Sequence, residues 1–255
     1  MIANYHTHTW RCNHAEGEEE DYVKAALDKG FSILGFSDHT PYCFPDGYRS
    51  RIRMTLEQLP EYRDVVLALR KKYAGRIEIP LGVELEYYPD CLPNLLPILR
   101  DHGIEYLLLG QHFLGNEAGQ PYSGHATEDA AILDGYCRQA MDAMQTGLFT
   151  YFAHPDLINF VGDDKIYGAY MSRLCREAKS CGIPLEINLL GILEGKHYPN
   201  GEFWAIAAEE NCKVILGMDA HAPAHVLDPE PEARALRIVQ QFGLELLDTL
   251  ELRSI

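Results

Sequence analysis

No run of apolar residues in this chain approaches the ~20 needed to span a bilayer, and no leader-like segment precedes Met1-Ile2-Ala3-Asn4. Membrane-embedded and exported classes are therefore not expected; a cytoplasmic protein is. Basic residues are scarce: 22 Lys and Arg stand against 38 Asp and Glu, a formal charge of −16. No basic cluster is long enough to track a phosphate backbone, which excludes a long nucleic acid as partner and gives no footing on an anionic membrane. Some of that negative charge is expected to be offset by bound cations. The seven cysteines form no C-x-x-C pair, so neither a disulfide framework nor a cysteine-rich zinc site is expected. Cys137, Cys175 and Cys212 read as small core residues. Neither G-x-G-x-x-G nor G-x-x-x-x-G-K occurs where a dinucleotide or P-loop fold requires it. Linkers, low-complexity tracts and short repeats are also missing, so residues 1–255 read as one domain. Oligomeric state is not legible.

Histidine is present in a particular order. Tyr5-His6-Thr7-His8-Thr9 is followed by His14. On an extended strand His6 and His8 point to one face, a ready bidentate metal site. Strands are expected over Ile2 to Thr9, Phe31 to Ser37, Ile77 to Leu85, Ile104 to Gln111, Phe149 to Ala153, Pro184 to Asn188 and Val214 to Met218. Between them lie helical stretches, the first opened by Glu18 to Asp21 and closed by Gly30, the second beginning near Pro60. A long loop with Pro41, Pro45 and Gly47 follows the second strand, and Leu244 to Leu252 stays ambiguous.

Seven strands alternating with helices imply an α/β chain with a parallel sheet. Asp38-His39, Glu84, His112, His154 and Asp219-Ala220-His221 each follow an apolar run. Only a closed barrel brings the ends of nearly all its strands to one mouth, so a TIM-barrel-like, roughly seven-stranded barrel is expected. A lone histidine on an apolar strand is usually a hydrogen-bonded bystander, which is how His102, His197 and His225 read; His125 is left open. Asp38 and Asp156 read as partners that orient neighbouring histidines. Asn188 is taken over Glu186 as the site-facing residue of the sixth strand.

His6-Thr7-His8, His14, Ser37-Asp38-His39, Gly82-Val83-Glu84, Gly110-Gln111-His112, Ala153-His154-Pro155-Asp156 and Gly217-Met218-Asp219-Ala220-His221 resemble the ordered motifs of the PHP (polymerase and histidinol phosphatase) family. The resemblance implies a distorted (β/α)7 barrel with three divalent ions, zinc, iron or manganese. One would be bound by His6, His8, Glu84 and Asp219, a second by Glu84, His112 and His154, and a third by His14, His39 and His221. Glu84, Asp219 and His221 are the implied catalytic members of this set. The implied chemistry is in-line attack on phosphorus by a metal-bridging hydroxide. A compact member resembles the histidinol phosphatases, which implies a phosphomonoesterase acting on a small phosphorylated metabolite, L-histidinol phosphate first, in histidine biosynthesis. The alternative is hydrolysis of a small phosphodiester. A docking module without catalysis is disfavoured by the complete ligand set. For the phosphate oxygens the candidates are Arg49, Arg51 and Arg53 after the second strand, with Asn188 and Lys196 near the sixth. Leu193 stands near the place where related phosphatases often carry an arginine.

Overall fold

Short apolar runs and amphipathic stretches alternate along the chain, and the computed structural model, which describes residues 1–44 and 47–255, turns them into strands and helices in that order. Pro45, in the expected loop, lies outside the described residues. The strands are β1 (Ala3–Asn4), β2 (Ile33–Leu34), β3 (Gly82–Leu85), β4 (Tyr106–Leu109), β5 (Phe149–Phe152), β6 (Leu185–Asn188), β7 (Lys213–Gly217) and β8 (Glu245–Leu246). The helices are α1 (Glu19–Lys29), α2 (Leu59–Lys72), α3 (Leu92–Asp101), α4 (Ala130–Gln145), α5 (Asp164–Ser180), α6 (Leu189–Leu193), α7 (Gly201–Glu209), α8 (Pro223–Leu227) and α9 (Glu230–Phe242). Three acids open α1, and Gly30 closes it at φ 85°, where a side chain would be strained.

Among the described residues, each pairing between these strands is parallel. The order differs from the single seven-stranded barrel expected above. Strands β3 to β8 form one six-stranded sheet in sequence order, while β1 and β2 pair apart from it. The ambiguous C-terminal stretch supplies the added strand β8. Parallel bridges at Ile33–Glu78, Phe36–Leu81 and His39–Glu84 run between the β2 segment and β3, and Thr7–Ala220 joins the N-terminal segment to the residues after β7.

The first two expected strands shrink to two residues each, and buried side chains bond the main chain around them. Asn4 is fully buried; its Oδ1 accepts the Met218 amide at 2.9 Å and its Nδ2 donates to the His6 carbonyl at 3.1 Å. The Tyr106 hydroxyl lies 2.7 Å from the Tyr5 carbonyl and 3.0 Å from that of Phe36. The carbonyls of His6 and Phe36 also accept the Ala220 and Gly82 amides, so these side chains add to the main-chain pairing. Gly35 and Gly82 make room for that tyrosine, since a Cβ at either position would overlap its ring or hydroxyl. The main apolar core lies between the sheet and its helices, and Cys137, Cys175 and Cys212 are buried free thiols within it.

Candidate metal centre

Strand alternation and strand ends put the chemistry on one side of the sheet. Glu84 is buried inside β3, and His6 and His8 lie just beyond β1. Gly110 and Gly217 provide space, because a Cβ on Gly110 would overlap the Glu84 carboxylate and one on Gly217 would overlap that of Glu186. His154 and Asp219 lie two residues past the ends of β5 and β7, with φ of 34° and 50°. Such left-handed backbone costs about 1–3 kcal/mol in a residue other than glycine and persists where the surroundings over-determine it.

Five imidazoles have their Nδ1 tied to a fixed acceptor. His6 donates to Glu186 at 2.9 Å, His112 to Glu86 at 2.7 Å and His8 toward Asp38 at 3.3 Å. His14 donates to the Cys12 carbonyl at 2.7 Å, and His221 to the Asp219 carbonyl at 2.9 Å. With the Nδ1 proton committed, each Nε2 presents a lone pair. Those lone pairs converge. His8 Nε2 is 3.0 Å and His6 Nε2 3.4 Å from Asp219 Oδ1, and both approach Glu84 Oε2 at 3.6 and 3.7 Å. The other Glu84 oxygen meets His154 Nε2 at 2.8 Å and His112 Nε2 at 3.6 Å. His39 turns its Nδ1 to Glu84 Oε2 at 3.0 Å, and the Nε2 atoms of His14 and His221 face each other at 3.0 Å.

Lone pairs aimed at lone pairs repel unless a cation or a proton lies between them. Among the described residues, His6 Nε2, His39 Nδ1 and Glu84 Oε2 are buried with no hydrogen-bond partner, which is costly in a solvent-excluded site. Metal bonds of about 2.0–2.1 Å set tetrahedral donor atoms roughly 3.3 Å apart, close to the separations here. The groups His14–His39–His221 and His6–His8–Asp219 each have donor atoms close enough for one ion. The donor set fits divalent cations.

The electrostatics agree. Burial opposes a charge on His6, yet Glu186, Asp219 and Glu84 raise its imidazole to about 10. His8 is likewise raised against its burial, by Asp219 and Asp38. Burial and the neighbouring His8 hold His39 and His221 well below the usual histidine range. Glu84 and Asp219 stay ionised despite burial because the surrounding imidazoles outweigh it. Without metal, protons hold these charges together.

Residues 4–189 match the PHP domain family. The chain is a member of that family. It is 31% identical over 231 residues to a probable histidinol-phosphatase of Deinococcus radiodurans, covering 88% of each chain. It is 24% identical over 257 residues to the histidinol-phosphatase of Bacillus subtilis, covering 87% of this chain and 94% of that one. A histidinol phosphate phosphatase of Lactococcus lactis, crystallised with zinc, L-histidinol and phosphate, shares the fold at a TM-score of 0.75 and 18% identity, covering 98% and 97% of the two chains.

Above the centre of this PHP domain lies a cavity of about 360 Å³, walled by Ile52, Phe113, Tyr122 and Tyr198 and carrying Lys196 and Glu194. Other expected contacts fall elsewhere. Arg53 is buried and does not line the cavity; its guanidinium is paired with Glu86 at 2.5 and 2.7 Å and with Glu117 at 2.6 Å, so its charge is already met by two carboxylates. Arg49 and Arg51 are exposed and do not line the cavity. Asn188 is fully buried and its amide is engaged within the protein. Its oxygen caps α6 at the Gly191 amide, 2.8 Å, and its Nδ2 reaches Asp219 at 3.1 Å. Asp156 does not orient a histidine ring but accepts the Asn200 amide at 2.6 Å. Burial raises its carboxyl to about 6.

Of the two carboxylates that hold ligand imidazoles, Glu86 escaped the sequence analysis and Glu186 was passed over for Asn188. Both were within reach of it, since Glu84 and Glu86, like Glu186 and Asn188, are two apart and share a strand face. Cys12 was not singled out in the sequence, yet its buried thiol stands close to His8 and His221. His102 and His197 bond to the carbonyls of Ile98 and Leu157, away from the centre, and His225 accepts the His221 amide at 3.2 Å. His125 is exposed, edge-on to Tyr122.

Proposed function

We propose that this PHP domain is a metal-dependent phosphomonoesterase that hydrolyses L-histidinol phosphate to L-histidinol and phosphate, a step of histidine biosynthesis. The observation that carries the reading is the buried convergence of imidazole lone pairs on Glu84 and Asp219, which calls for cations. The substrate comes from kinship with proteins named as histidinol phosphatases over nearly the whole of both chains.

We assign three divalent ions, zinc, iron or manganese, to the groups His6–His8–Glu84–Asp219, Glu84–His112–His154 and His14–His39–His221. Ions held there would supply a water-derived nucleophile at neutral pH and neutralise charge on the phosphoryl group. The chain's own residues do the rest. Glu84, kept ionised, would offer oxygens to two of these groups and Asp219, also ionised, to the first, and His221 stands at the cavity edge. Lys196 is the cation placed to take an outer phosphate oxygen, while Phe113, Tyr122 and Tyr198 flank the space with aromatic surface suited to an imidazole ring. A volume near 360 Å³ falls in the range of small-metabolite sites, roughly 300–1,000 Å³. We also read the isolated bridges as the seam of a distorted seven-stranded barrel within one domain, with β8 outside its count.

The test is phosphate release from histidinol phosphate, other monoesters and a small diester by protein reconstituted with each metal. Histidinol phosphate should give the highest kcat/KM, and removal of metal by chelator should abolish turnover. Preference for the diester would overturn the reading.

A further inference from the structure

Arg53, read from sequence as a substrate clamp, sits beside the centre without lining the cavity. Its fork closes on both oxygens of Glu86, Nη1 to Oε2 at 2.7 Å and Nη2 to Oε1 at 2.5 Å. The same Oε1 accepts Nδ1–H of His112 at 2.7 Å, and the Nε2 of that ring faces Glu84. All three side chains are at least largely buried, and Tyr42 lies against the guanidinium at 5.3 Å. On its other side Arg53 Nε donates to Glu117 at 2.6 Å, whose second oxygen accepts from Tyr48 at 3.0 Å; its carbonyl accepts from Asn13 at 3.2 Å, next to His14.

We propose that Arg53 is a positioning residue for the metal centre. A buried carboxylate has a rotatable plane, and a bidentate guanidinium fixes that plane. With it are fixed the position of Glu86 Oε1 and, through one hydrogen bond, the ring of His112. Arg53 also adjoins Ile52, a wall residue of the cavity, and reaches the Glu117 loop that follows Phe113, a second wall residue. One guanidinium therefore joins two segments of the cavity wall to the imidazole expected to share an ion with Glu84 and His154. Lysine could supply the charge without the fork. The proposal rests on metal binding at Glu84, His112 and His154 but not on the identity of the substrate.

The experiment uses full-length protein titrated with Zn²⁺ against a chromophoric chelator, with thermal unfolding measured in parallel. Arg53→Lys should remain folded and bind one ion of the set about ten- to a hundred-fold more weakly, as loss of an orienting partner does, with the others unchanged. Two double variants separate positioning from folding, because each removes both members of the Arg53–Glu86 ion pair. Arg53→Met with Glu86→Gln keeps an oxygen for His112 Nδ1–H; Arg53→Met with Glu86→Leu does not. The glutamine variant should bind the affected ion at least ten-fold more tightly than the leucine variant, and the His112 Nδ1 proton should remain hydrogen-bonded by NMR only in the former. Equal affinities in the two, wild-type affinity in Arg53→Lys, or failure of both double variants to fold would overturn the proposal. Failure of the phosphatase panel alone would leave these affinities unchanged, so the two readings fail separately.

Discussion

A histidine becomes a ligand when one ring nitrogen is occupied and the other is aimed. His6 shows both halves, Nδ1 held by Glu186 and Nε2 left without a partner among the described residues. The room for Glu186 is made by Gly217, which sits opposite Asn188 in the register of β6 and β7. Gly217→Ala should therefore act on a residue it never touches. The added methyl forces Glu186 aside, frees the His6 ring and weakens metal binding by about ten- to a hundred-fold. Elemental analysis of the purified variant beside wild type checks this; unaltered metal content with only a lowered Tm would confine Gly217 to packing.

Helix α6 carries function to the cavity by its ends. Asn188 caps its start, and past its last turn the Lys196 amide bonds back to the Gly191 carbonyl at 2.9 Å. That return places Lys196 and its 2.8 Å partner Glu194 at the cavity. The spacing of cations in the sequence favoured the loop with Arg49, Arg51 and Arg53, and the fold moved the cation that lines the cavity to this turn. Lys196→Ala is expected to raise KM for phosphate monoesters about ten-fold, the scale of one charge-assisted hydrogen bond. Arg51→Ala should change it less than two-fold, on the grounds that exposed charges contribute little. Steady-state kinetics at constant metal content decides; the reverse order of effects would return the clamp to the arginine loop.

Across the whole molecule the centre behaves as one coupled charge cluster, and its sign predicts a pH response. In the metal-free protein His6, His8 and His154 have folded-state pKa values above that of an unfolded histidine, ~6.5. Their contribution to stability is complete below that pH and is lost as pH rises, for His6 through about 10. His14, His39 and His221 are shifted the other way, so their contribution is lost as pH falls below ~6.5. The depressed Glu84 and Asp219 add to the loss in stronger acid. Metal-free protein should thus have its highest Tm near pH 6.5. Cations replace the protons, so the loaded protein should keep its Tm on the alkaline side. Calorimetry of both forms from pH 5 to 9 should show the gap between them widening above 6.5; a constant or shrinking gap would contradict the assignment.

The order of metal-type residues, their places at strand ends and the parallel α/β plan were legible in the amino-acid sequence alone. Each depends on short-range rules: apolar runs make strands, a spacing of two shares a face, and glycine and proline mark helix ends. Tertiary structure decided which acid stands behind which imidazole. Glu186 and His6 are 180 residues apart, and Glu86 and His112 are 26 apart. It also decided that β1 and β2 pair outside the main sheet, joined to it only by isolated bridges such as Phe36–Leu81 and Thr7–Ala220 among the described residues. The same holds for Arg53. Its sequence position gives an arginine in a polar loop, and only burial between Glu86 and Glu117 turns a cation free to meet phosphate into one already neutralised. Spacing along a chain fixes the direction of a side chain relative to its near neighbours, whereas its charge partner is set by segments that meet only when the core closes.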